Sequence, residues 1–130
     1  MSAKALTLTA EERISSRILI EKLFDGGNSR SMTAYPVRLV YLQTDRQPGD
    51  VAAKILVSAP KRNLRHAVDR NRVKRQMREA YRKNKHLILE KLDANSGMAL
   101  AFIWLEKQPF HSSEVEQRII NLLERVSEKL

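Results

Sequence analysis

The stretch Met98-Ala99-Leu100-Ala101-Phe102-Ile103-Trp104-Leu105 is an unbroken apolar run of strand length. A strand with one wet face alternates apolar and polar residues, so a continuous run belongs at the centre of a sheet with both faces covered. Alternation puts Met98, Leu100, Phe102 and Trp104 on one side and Ala99, Ala101 and Ile103 on the other. The large residues point to a thick layer, the small ones to a closer neighbour.

The remaining elements are read from their periods. Thr9-Ala10-Glu11-Glu12 has the capping-box pattern, and Ile14, Ile18, Leu19 and Leu23 follow at helical spacing until Gly26-Gly27, which predicts a first helix at about 10–25. Tyr35 to Leu42 reads as a strand, with Pro36 near its start where a missing donor is tolerated. Asp45 to Asp50, with Pro48-Gly49, reads as a turn. Val51 to Ala59 is a second β segment, placed toward the middle of a compact sheet and ended by Pro60. From His66 to Leu89 the period is helical, with Val73, Met77, Ala80, Tyr81 and Ile88 on one face. After a break at Asn95-Ser96-Gly97 and the apolar strand, Ser113-Glu114-Val115-Glu116 repeats the capping pattern. Val115, Ile119, Leu122, Val126 and Leu130 then make an amphipathic last helix. The order is α-β-β-α-β-α in one domain spanning 1–130, with 1–8 expected to be flexible; a chain of 130 residues has little material for a second core.

Composition removes several classes of function. There is no cysteine, hence no disulfide framework, thiolate metal site or Cys nucleophile. No apolar run reaches the roughly 20 residues of a membrane helix, and Met1 to Ala10 lacks signal-peptide character. These readings predict a soluble cytoplasmic protein with no membrane partner. Histidines 66, 86 and 111 are scattered, without metal-ligand spacing or a triad partner, so no catalytic residue is assigned.

Charge is the most informative quantity. The formal net charge is +9, and residues 61–85 hold 11 of the 24 Lys and Arg against only Asp69 and Glu79. The other 105 residues are balanced, so a neutral domain carries one cationic segment. On a helical wheel Asn71, Arg75, Arg78 and Arg82 lie opposite Val73, with Arg72 toward one flank and Arg70 and Lys74 toward the other. Solvated helix faces normally mix signs, because like charges at i,i+4 repel where opposite ones attract. A row this one-sided is suited to a phosphate-rich partner, for which the planar Arg fork is well shaped. The row itself does not separate DNA from RNA. No short preceding helix and tight turn are present for a helix-turn-helix, however, and the preceding segment reads as a strand.

Arg70-Asn71-Arg72-Val73-Lys74-Arg75-Gln76-Met77-Arg78-Glu79-Ala80-Tyr81-Arg82 resembles the RNR signature of the bacterial ribonuclease P proteins. Around it stand an apolar strand ending in Val57-Ser58, the basic pair Lys61-Arg62, and Ala67-Val68, in the same order as in that family. The resemblance implies an α+β fold: a small two-layer α/β sandwich, like the second domain of a small-subunit ribosomal protein, with a left-handed β-α-β crossover. Sequence rules taken without the resemblance favour the right-handed crossover.

The resemblance also implies a function. Such a protein is the small subunit of a ribonucleoprotein endoribonuclease that removes 5′ leaders from precursor tRNA by phosphodiester hydrolysis. Its partners would be ribonuclease P RNA and precursor tRNA, with no DNA partner, and Mg²⁺ would be bound mainly by the catalytic RNA subunit. Carried onto this chain, Arg70, Asn71, Arg72, Lys74, Arg75, Arg78 and Arg82 would contact that RNA, with Lys61, Arg62 and Arg65 extending the surface. Phe24, Tyr35 and Arg38 would hold the single-stranded leader between the first helix and an open sheet face. The chain departs from the family where Ile20 replaces a frequent aromatic, Leu56 a frequent glycine and Pro60 a small or polar residue, and where Leu105-Glu106 lacks the basic residue that often follows the last strand.

Overall fold

The computed structural model describes residues 8–130, so the expected flexibility of 1–8 falls, Leu8 apart, outside the described residues. The chain forms a 3-10 turn Ala10–Glu12, then α1 (Arg17–Asp25), β1 (Arg30–Ala34), β2 (Val37–Asp45), β3 (Ala53–Ser58), α2 (Ala67–Asn84), α3 (His86–Leu89), β4 (Ser96–Trp104) and α4 (Ser112–Ser127). The sheet order is β1-β2-β4-β3. Antiparallel ladders join β1 to β2 and β2 to β4, while β3 runs parallel to β4, from Ala53 opposite Met98 to Ser58 opposite Ile103. Two parallel neighbours need a long connection between them, and α2 and α3 supply it.

The apolar run occupies the position its composition requires, inside the sheet between β2 and β3. Met98, Leu100, Phe102 and Trp104 join Val37, Leu39, Ile55, Val73, Met77, Tyr81, Ile119 and Leu122 in the main core, beneath α2, α3 and α4. Ala99 and Ala101 face the other way, into a thin cluster with Ile14, Leu23 and Val40, to which Leu19, Ile20, Leu56 and Ile103 add partly buried surface. The alanines let α1 lie close to the sheet. The architecture is therefore mixed α and β in stacked layers, as expected, with one face deeply covered and the other lightly.

Four expectations need correction. The first helix begins at Arg17, not near residue 10, because residues 13 and 14 serve another purpose. The Ile14 amide donates to the Ile55 carbonyl at 2.8 Å and Arg13 bridges to Ile55, which covers the free edge of β3. Ser16 then caps α1 by accepting from the Leu19 amide. The Thr9–Glu12 contact does form, with the Thr9 amide donating to Glu12 Oε1 at 3.1 Å, but it closes only the 3-10 turn. Second, α4 starts at Ser112 after His111, so Ser113 lies inside the first turn and caps nothing. Third, β3 is an edge strand, not a middle one. Fourth, β1 was not anticipated: only Met32 and Ala34 of its five residues pack on the core, and the others are exposed.

Candidate nucleic-acid interface

The cationic segment begins in the loop between β3 and α2. The Asn63 and Leu64 amides both donate to the Pro60 carbonyl, making a tight turn that displays Lys61 and Arg62 to solvent. Asn63 Nδ2 donates to the Trp104 carbonyl at 3.0 Å, and Leu64 is buried in the main core, so the turn is fixed to the end of β4. Arg65 is exposed. Arg70 reaches back, its Nη1 donating to the carbonyls of Leu64 and Arg65, both at 2.9 Å. The first arginine of the motif thus shapes the loop before it presents charge outward.

Along α2 the apolar residues Val73, Met77, Ala80 and Tyr81 are buried, as the wheel requires. Asn71, Arg72 and Arg75 are exposed, while Lys74, Arg78 and Arg82 are half-buried. Arg82 pairs with Glu79; this hydrogen bond holds the Glu79 carboxyl below its ordinary range and raises Arg82 above its own. Arg78 moves the other way. Burial first, and the nearby Arg13 charge second, lower its pKa below the usual guanidinium value. Lys85 contributes to the charge of the segment but not to its surface. It is buried, and its Nζ sits 2.9 and 3.1 Å from the Glu12 carboxylate oxygens.

Two further residues escaped the sequence reading. Gln76 is buried on the flank of α2, and its Nε2 donates to the Phe110 carbonyl and to Ser112 Oγ, both at 3.0 Å. It fastens the start of α4 to α2, and with Arg72, Arg75, Glu79 and Ser112 it lines a recess of about 200 Å³. Arg13 is the other. A lone cation within an expected helix gives no signal that it will instead bridge to Ile55 at the edge of β3.

The open face of the sheet carries a second feature. Phe24, at the end of α1, is 45% exposed and lines a groove of about 240 Å³ with Arg38, Val40 and Ile103 from the sheet and Arg30 and Ser31 from β1. Phe24 and Arg38 are therefore brought together as expected. Tyr35 is not among the groove residues. It lies in the β1–β2 turn, where its hydroxyl donates to Glu106 Oε2 at 2.5 Å and its carbonyl accepts from Arg118 Nε at 2.9 Å. That hydrogen bond raises the Tyr35 pKa and lowers that of Glu106. Glu106 thus holds the tyrosine. Ile20 packs in the thin cluster, leaving Phe24 as the aromatic of the groove. Among the described residues no three His, Cys, Asp or Glu side chains converge as a metal cage. No helix there is long and apolar enough to cross a membrane.

A surface loop, a one-sided arginine helix and a groove on the far face form a recognisable set, and the sequence profile of the family described as Ribonuclease P matches residues 8–127. The chain belongs to the ribonuclease P family. The ribonuclease P protein component of Porphyromonas gingivalis is 42% identical over 81 residues, covering 62% of this chain and 57% of that protein. The corresponding component of Chlorobium phaeobacteroides is 36% identical over 89 residues, covering 67% and 60%. The aligned part thus spans less than two thirds of either relative. The fold is shared with the Staphylococcus aureus RNase P protein, with a TM-score of 0.67 at 15% identity over 88% of this chain and 94% of the other. It is also shared with the RNase P protein of Thermotoga maritima, with a TM-score of 0.63 at 20% identity over 87% and 97%.

Proposed function

We propose that this chain is the protein subunit of ribonuclease P, binding the catalytic RNA of that ribonucleoprotein through the loop 61–65 and α2. The uncompensated guanidinium face of α2 carries the reading: among the described residues Arg72 and Arg75 have no ion-pair partner. Phosphates are the ligands that relieve such a face. Arg70 and Asn63 add fixed geometry, since a loop held at both ends need not be ordered on binding.

The second half of the proposal concerns the 5′ leader of precursor tRNA. Phe24 offers a stacking surface and Arg38 and Arg30 offer charge, the combination used for single strands without sequence preference. Tyr35, held by Glu106 in the β1–β2 turn, stands outside this groove. Phosphodiester cleavage would then be carried out by the RNA subunit with Mg²⁺, the protein holding both RNAs in place. With Glu79 engaged by Arg82, Asp69 is the remaining carboxylate of the segment. A divalent ion at this interface would take most of its ligands from RNA. The test is reconstitution: the chain, ribonuclease P RNA and precursor tRNA are mixed at low Mg²⁺, and stimulated release of the 5′ leader is the expected result. No stimulation, with the RNA active at high Mg²⁺, overturns the reading.

A further inference from the structure

On the helix side of the sheet, beside the start of β1 and the end of α4, lies a recess of about 440 Å³, larger than the Phe24 groove. Sites for small ligands run to roughly 300–1,000 Å³. Its floor is the buried pair Tyr41 and Met98, and its rim carries Asn28, Arg30, Gln43 and Lys129, all exposed. No Asp or Glu lines it, and neither Arg30 nor Lys129 has an ion-pair partner among the described residues. Tyr41 is only 6% exposed, and its hydroxyl has no hydrogen-bond partner among the described residues. Unlike the Tyr81 hydroxyl it is not sealed from solvent. Its ring is packed in the main core, so the hydroxyl is the end that opens into the recess. A tyrosine buried this deeply normally has a partner for its hydroxyl.

The recess adjoins the Phe24 groove around the start of β1. Arg30 opposes Tyr41, and Ser31 opposes Val40, in the β1–β2 ladder. Alternation therefore turns Arg30 and Tyr41 to the helix side and Ser31 and Val40 to the open side. Gly27, Ser29 and Ser31 line the groove, Asn28 lines the recess, and Arg30 lines both. A single strand lying on Phe24 thus has one cationic edge to cross and a second site beyond it. The chemistry of that site suits a nucleotide. Arg30 and Lys129 meet phosphate as charge-assisted donors. The side-chain amides of Asn28 and Gln43 each offer a donor and an acceptor, which is what a base edge presents in return.

We propose that this recess is a second nucleotide site on the single-strand path. One base enters above Tyr41 and Met98, its edge meeting Gln43 and the Tyr41 hydroxyl, while Arg30 and Lys129 hold the flanking phosphate. This rests on the leader reading of the Phe24 groove and carries that path round the edge of the sheet onto its helix side. Gln43 and Tyr41 then select one leader base, and Lys129 supplies affinity without selection.

The test uses the complex of the full chain with ribonuclease P RNA, and precursor tRNAs whose 5′ leaders lengthen one nucleotide at a time. Affinity should rise in two steps at different leader lengths, one lost in Phe24→Ala and the other in Gln43→Ala, Tyr41→Phe and Lys129→Ala. Each of these last three should cost about three- to tenfold, as for one hydrogen bond or phosphate contact. Lys129→Ala should also flatten the slope of log affinity against log salt by about 0.7, whereas Gln43→Ala and Tyr41→Phe should leave it unchanged. An abasic nucleotide at the position of the second step should abolish the effect of Gln43→Ala. Thermal melting checks that each protein is folded; Gln43 and Lys129, being exposed, read binding without a folding change. A single step in the wild type, or a second step kept by Gln43→Ala and Lys129→Ala, overturns the second site and leaves the leader reading standing if Phe24→Ala is impaired. An undiminished effect of Gln43→Ala on the abasic leader overturns base insertion. Unchanged affinity of Phe24→Ala at every leader length overturns the reading beneath.

Discussion

Replacing Arg72 and Arg75 together by alanine gives the cleanest measure of what the α2 face does. Both side chains are exposed and neither is in an ion pair among the described residues, so the fold should be nearly indifferent, within about 0.5 kcal/mol. Relief of their mutual repulsion works in the same direction. Binding should respond very differently. Each phosphate contact contributes about 0.7–0.9 to the slope of log affinity against log salt, so losing both should flatten the slope by about 1.4–1.8. Between 50 and 200 mM monovalent salt this makes the affinity gap between wild type and variant shrink about tenfold. The measurement is fluorescence anisotropy with ribonuclease P RNA at fixed Mg²⁺ across that range, with circular dichroism to confirm the fold. Parallel lines for the two proteins would refute the assignment, because a loss of affinity without a change of slope cannot come from lost phosphate contacts.

Phe24→Ala should weaken binding of a single-stranded leader by about 1–3 kcal/mol, the worth of one stacked base, and leave affinity for ribonuclease P RNA unchanged; competition with leaderless tRNA separates the two. Among the described residues the buried Tyr81 hydroxyl has no hydrogen-bond partner, and burial, then the Glu12 charge, push its pKa up. Tyr81→Phe should therefore raise stability by about 1 kcal/mol and the melting temperature by about 3–5 °C, read by calorimetry. Ionising Tyr35 would forfeit its hydrogen bond and set a phenolate beside the Glu106 carboxylate, so Glu106→Gln should lower the pH at which Tyr35 titrates in the ultraviolet. An unchanged titration would mean the two side chains do not meet in solution.

What could be read from the sequence was what repeats. The two-sided apolar strand, the stripe from Val73 to Ile88 and the outward placement of Asn71 and Arg75 all follow from a period meeting a core, and the structure has them. Pairings between distant residues have no period. Glu12 belongs with Lys85, 73 positions away, and Asn63 with Trp104, 41 away. Arg78, fully outward on the wheel, is half-buried in the structure. β1 was hidden by its position at the edge, where Arg30, Ser31 and Thr33 carry no apolar signature. The motif helix was legible residue by residue, whereas Tyr35 and Glu106 had to be placed in space before their bond could be seen.

The unequal covering of the sheet has a consequence for motion. α2 and α4 are rooted in a core of large side chains, whereas α1 buries only Leu23 fully and leans on alanines through Leu19 and Ile20. Elements with little buried apolar contact open at the lowest free-energy cost, so amide protons of α1 should exchange well before those of β4 or α2. One wall of the Phe24 groove is therefore compliant while its floor is rigid. If the groove takes a single strand as proposed, strands of different bulk would be admitted by a small tilt of a single short helix, with the arginine face on the far side of the sheet left undisturbed.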